Sequence, residues 1–153
     1  MNRTTILIGS TLIFMLTASF VLGGDDTSNI EDKKYKITIS EAKKGGKSGP
    51  SDTDVLTFKS GKFRTGFFKK FAGADAIPIE LDKDSTYIDE GGTEEMLYIE
   101  FSGEMTNKQD ETVKVTGTID GFGIEGNVEL SKKEKVKKHW DFVGTEKDKK
   151  GKK

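Results

Sequence analysis

Apolar and polar residues alternate with a period of two through almost all of the chain after residue 33, and this decides the fold class. Tyr35, Ile37 and Ile39 alternate with Lys36 and Thr38, and Leu56 and Phe58 with Val55 and Thr57. Leu97, Ile99 and Phe101 alternate with Tyr98 and Glu100. Further sets are Ile77, Ile79 and Leu81, then Val113, Val115 and Ile119, then Ile124, Val128 and Leu130, and last Val136, Trp140 and Phe142. Side chains along a strand point alternately to opposite faces, so each segment has one apolar face and one wet face, as antiparallel strands do. Turn chemistry falls between the sets, at Ser60-Gly61-Lys62, Gly91-Gly92, Asn107 to Asp110 and Asp120-Gly121.

Two segments compete with that pattern. Phe67, Phe68 and Phe71 fit one helical turn as well as a strand, which leaves residues 66–73 open. Lys132 to His139 puts Val136, His139 and Trp140 at helical spacing. No apolar stripe precedes it, so a turn into a last strand is expected, with Val136, Trp140 and Phe142 on one inward face. About eight strands in sequential hairpins, with no helix long enough to cover a sheet, remove their exposed edges by closing. The expected fold is all-β: an antiparallel up-and-down barrel over residues 34–146, after a disordered lead-in at 24–33 and before a basic tail at 147–153.

The first 23 residues read as an export signal. Arg3 supplies positive charge, Ile6 to Leu22 an apolar stretch, and Val21-Leu22-Gly23 a cleavage site. An uncleaved anchor is the competing reading, at the lower length limit for a span. Either way the remainder is expected outside the cytoplasm, secreted or periplasmic. With no Cys in 153 residues, disulfides and thiolate metal sites are excluded. A hydrophobic share of 33% allows one modest core and no multi-domain enzyme.

Charge is segregated along the chain. Lys33 to Ala72 carries 11 basic and 3 acidic residues, Asp75 to Glu129 carries 3 and 15, and Ser131 to Lys153 carries 10 and 4. Closure makes the first and last strands neighbours, which predicts a molecule basic along that seam and acidic opposite.

Several motifs reduce to turns. Gly121-Phe122-Gly123-Ile124-Glu125-Gly126 has the three-glycine spacing of a dinucleotide site, but that site needs a buried strand before it and a helix after it. The flanks here are the polar Lys114 to Thr118 and the alternating Asn127 to Leu130. A hairpin is expected, with Gly117 and Gly126 relieving crowding between adjacent strands. Gly46-Lys47-Ser48 lacks the upstream glycine of a phosphate loop, and Pro50 stands where its helix would start. Asp82, Asp84, Asp89, Glu90, Glu94 and Glu95 are hard oxygen donors without calcium-loop spacing, because Tyr87 and Thr93 occupy the sixth and twelfth positions. His139, the sole imidazole, has no nucleophile-elbow serine for a hydrolytic triad. No catalytic residue, metal site or cofactor is expected.

Three segments together resemble small secreted bacterial lipocalin-like barrels: Asp54 to Phe63, Gly117 to Gly126, and Trp140-Asp141-Phe142-Val143-Gly144-Thr145. The resemblance implies a barrel and a small apolar ligand, and no catalytic residues. Two functions are therefore expected as alternatives. The first is a non-enzymatic barrel that binds a small apolar or amphipathic ligand in its mouth, walled by Phe58, Phe63, Ile99, Phe101, Trp140 and Phe142. The same side chains fill the interior if the barrel has no open mouth. The second is an interaction module that docks an anionic envelope component or protein through Lys132, Lys133, Lys135, Lys137 and Lys138. Nucleic acid is not expected, because these basic runs lack interleaved aromatic residues.

Overall fold

Each of eight strands pairs antiparallel with the next in chain order, and the last returns to the first, closing one ring. They are β1 (Lys34–Lys43), β2 (Lys47–Phe58), β3 (Lys62–Arg64), β4 (Ile77–Ile88), β5 (Glu95–Thr106), β6 (Thr112–Asp120), β7 (Gly123–Lys132) and β8 (Lys135–Glu146). The chain is described by a computed structural model covering residues 29–43 and 47–147. The expected export signal (1–23), residues 24–28 of the lead-in and residues 148–153 of the tail lie outside the described residues. The seam pairs Tyr35 with Glu146 and Ile39 with Phe142.

Alternation places the core inside the ring. Tyr35, Ile37 and Ile39 of β1, Leu56 and Phe58 of β2, and Val113, Val115 and Ile119 of β6 are all buried, while their sequence neighbours face outward. One row crosses the sheet as Phe101, Gly117, Gly126 and Phe142, each paired with the next. The Phe101 ring occupies the space that a side chain at position 117 would need, and Phe142 Cζ would stand 2.6 Å from a Cβ at position 126. These glycines let two rings fold flat against the strands. The six-residue glycine motif is thus part of a hairpin: Gly121, at φ +57°, turns β6 into β7.

The ambiguous phenylalanine segment is a helix, α1 (Gly66–Phe71), lying between β3 and β4. Thr65 caps it, its hydroxyl accepting from the Phe68 N–H at 3.0 Å, and Asp54 accepts from the Phe67 N–H at 2.7 Å. Gly73, at φ +65°, ends it. The helix closes one end of the barrel: Phe68 is fully buried, 5.9 Å from Phe63 and 5.8 Å from Trp140 between ring centroids. Residues 29–33, expected within a disordered lead-in, instead form ordered turns at the other end. Ile30 is buried in the core, the Asp32 N–H donates to the Phe58 carbonyl, and Glu31 accepts from Ser60 and Gly61.

Two further expectations are corrected. Val136 does not share the inward face of Trp140 and Phe142; it is 49% exposed. Leu130 pairs with Lys138 but Ser131 with Val136, so Lys137 is an extra residue that breaks the alternation of β8. The seam is not basic along its length either. Beyond Lys36, its outer face carries Thr38 and Ser40 against Val143 and Asp141. Five lysines of the last block, Lys132, Lys133, Lys135, Lys137 and Lys138, gather at the β7–β8 turn instead, while Lys147 lies at the other end beside Lys34.

Candidate functional site

The six expected wall residues come together, and they do so as packed core. Phe58, Phe63, Ile99, Phe101, Trp140 and Phe142 are each no more than 2% exposed. Phe58 meets Phe101 edge to face at 5.2 Å, and Phe63 lies 5.7 Å from Phe142. With α1 over one end and Ile30 in the other, these rings face each other across the interior. Tyr35 belongs to the same cluster, 6.1 Å from Phe58. Its hydroxyl is buried without a hydrogen-bond partner among the described residues, and burial, with a smaller contribution from Glu146, pushes its pKa far up.

Concave surface lies outside the ring. A groove of about 630 Å³ runs over the outer face of β1 and β5 to β8, with Thr38, Ser40, Glu100, Thr116, Glu125 and Asp141 in its lining. Beside it, His139 hydrogen-bonds Asp141 at 3.0 Å and stands 4.0 Å from Glu129. No serine hydroxyl hydrogen-bonds to this imidazole among the described residues. The acidic segment is used locally: Asp89 accepts from the backbone N–H groups of Glu94 and Thr93, and those bonds lower its pKa.

The expected lysines divide into two groups. Lys137 pairs with Glu111 at 2.6 Å, and Lys132 donates to the Gln109 carbonyl at 2.9 Å, tying the β7–β8 hairpin to the β5–β6 turn. That bond from Lys137, followed by one from Asn107, lowers the Glu111 pKa. Lys133, Lys135 and Lys138 are exposed, Lys138 at the rim of the barrel with its ammonium 5.7 Å from the Trp140 ring centre. Lys133 and Glu134 form the two-residue turn itself, at φ +49° and +61°. Such a turn favours Asn-Gly, and non-glycine residues there cost roughly 1 kcal/mol each. Charge is kept where the backbone favours other residues.

No family model, curated protein or solved structure matches the chain. Function is therefore read from the surface. The hairpin has neighbours at this end that are far from it in sequence. Asn107 donates to the Ala72 carbonyl at 2.9 Å, which brings the β5–β6 turn against α1. Phe67 bridges Phe71, at 4.5 Å, to Trp140, at 6.1 Å. Lys69, Lys70 and Phe71 thus join the same end as the hairpin lysines. Their signal was available: a segment with three phenylalanines and two lysines in six residues cannot bury every ring on one short helix.

Proposed function

We propose that the chain is an exported, non-enzymatic, lipocalin-like barrel that acts as an interaction module, docking an anionic component of the cell envelope through its Lys-rich β7–β8 hairpin. In this reading residues 1–23 direct export and the mature barrel works in the periplasm or beyond the cell. The observation that carries it is the strained Lys133-Glu134 turn, with Lys135 and Lys138 beside it on the same projecting hairpin. Strain kept at an exposed, charged tip fits a surface selected for contact more than for stability. The aromatic packing inside the ring gives a small-ligand carrier no comparable support.

The test is binding of the exported protein to vesicles of phosphatidylcholine with a third phosphatidylglycerol. Binding should weaken as salt rises, and Lys133→Glu with Lys135→Glu should lower affinity about tenfold or more, near 1 kcal/mol for each lysine at an anionic surface. Equal binding by wild type and the charge-reversed variant would overturn the reading.

A further inference from the structure

The geometry points to an anionic lipid surface as the partner, met by the whole α1 end of the barrel, with Phe71 and Val136 entering the interface beside the lysines. This rests on the hairpin reading and extends it to a second element and a chemical class of partner. Among the described residues, the two ends of the barrel carry opposite charge. Around α1, residues 66–75, 107–111 and 132–138 hold eight lysines and four carboxylates. At the other end, residues 29–34, 59–62, 89–95, 120–122 and 145–147 hold five lysines and eight carboxylates. A molecule polarised along its axis approaches an anionic plane with one end forward.

Charge alone does not choose lipid over a soluble polyanion; the combination of exposed apolar side chains with lysines, found at the basic end, does. Phe71 is 42% exposed and Val136 49% exposed, each flanked in sequence by outward-facing lysine. The Lys70 ammonium lies 5.0 Å from the Phe71 ring centre, so a cation and an apolar face are presented together. Basic side chains among exposed aromatic and aliphatic ones are the composition of surfaces that lie in the headgroup boundary. The breaks in regularity present both groups: the extra residue at Lys137 turns Val136 out of the core, and the end of α1 leaves Phe71 outside it. Phe122 and Ile88, 58% and 61% exposed at the acidic end, are equally apolar but stand in surroundings wrongly charged for such a surface, and Phe122 serves as the internal control.

The chain has no cysteine, so single cysteines can carry an environment-sensitive fluorophore without background. Three full-length exported variants, Phe71→Cys, Val136→Cys and Phe122→Cys, are labelled and mixed with the phosphatidylglycerol vesicles. Two labels at the α1 end keep the test available if one substitution fails to fold. A blue shift at positions 71 and 136, with none at 122, supports the proposal. In the unlabelled protein, Phe71→Ser should reduce vesicle affinity roughly tenfold while leaving binding to soluble dextran sulfate unchanged. Vesicle binding without a shift at 71 or 136, or with an equal shift at 122, overturns the lipid-facing geometry and leaves the hairpin reading standing. Binding to dextran sulfate that depends on Lys133 and Lys135, with none to vesicles, overturns lipid as the partner. Failure to bind either probe overturns both readings.

Discussion

Tyr35→Phe removes one oxygen from the barrel interior, and its effect on stability reports whether that interior is dry. Tyr35 is fully buried, and its hydroxyl has no hydrogen-bond partner among the described residues. An unsatisfied buried hydroxyl costs about 1–3 kcal/mol. Phenylalanine keeps the ring and its edge-to-face contact with Phe58, and it leaves a void of only one atom, costing under about 1 kcal/mol. The net expectation is a gain of roughly 0.5–2 kcal/mol. At roughly 3–6 °C per kcal/mol for a domain of this size, melting should rise by several degrees. Urea unfolding followed by the emission of Trp140, the only tryptophan, measures it. A second signature is alkaline. The native Tyr35 pKa is raised, so the unfolded chain ionises first, and the wild type loses stability as pH climbs above about 10. The variant should lose less. A variant at least 1 kcal/mol less stable than wild type would mean that the hydroxyl holds a partner, such as an ordered water in a wet interior, and would refute the reasoning.

Three other substitutions probe separate parts of the account. Trp140→Ala should cost about 3–5 kcal/mol in urea unfolding, because the ring joins α1 to the barrel through Phe67 and Phe68; a cost below 1 kcal/mol would show that α1 does not close this end. Lys133→Asn with Glu134→Gly should stabilise the protein by about 1–2 kcal/mol while weakening vesicle binding, and unchanged binding would remove the link between strain and function. The lowered pKa values of Glu111 and Asp89 mean that their contributions are complete above the unfolded carboxylate pKa and are lost as pH falls through the native values. Glu111→Gln should therefore flatten the acid side of the stability profile, and an unaltered slope would count against the Lys137 contact.

Most of the barrel was legible because closure follows from simple alternation. Tyr35-Ile37-Ile39 and Val113-Val115-Ile119 each put three apolar side chains on one face, and Gly117 beside Gly126 marked where two rings needed room. What stayed hidden depends on single-residue departures from that alternation. Nothing local marks Lys137 as an extra residue; the offset exists only because Leu130 and Ser131 on β7 choose partners two residues apart, Lys138 and Val136, across one step of the register. The helix over Phe67, Phe68 and Phe71 is set by caps from Thr65 and Asp54, and Asp54 lies on another strand. Ile30 looked like part of an acidic leader because its role is tertiary, filling the end of a ring built by residues far along the chain. The candidate site was legible as a run of lysines. Its extension to Lys70 and Phe71 required knowing that the ring brings residues 66–73 beside residues 132–138.

The most direct test of a barrel that is packed inside and active outside is residue-resolved NMR of the protein titrated with dextran sulfate, a soluble polyanion. The account predicts saturable, salt-sensitive shifts at the backbone amides of residues 132–138 and at Lys69 and Lys70, with the methyl groups of Ile99, Val115 and Val128 unmoved. Shifts centred on those interior methyl groups, or on the acidic turn at residues 89–94 with residues 132–138 silent, would contradict it.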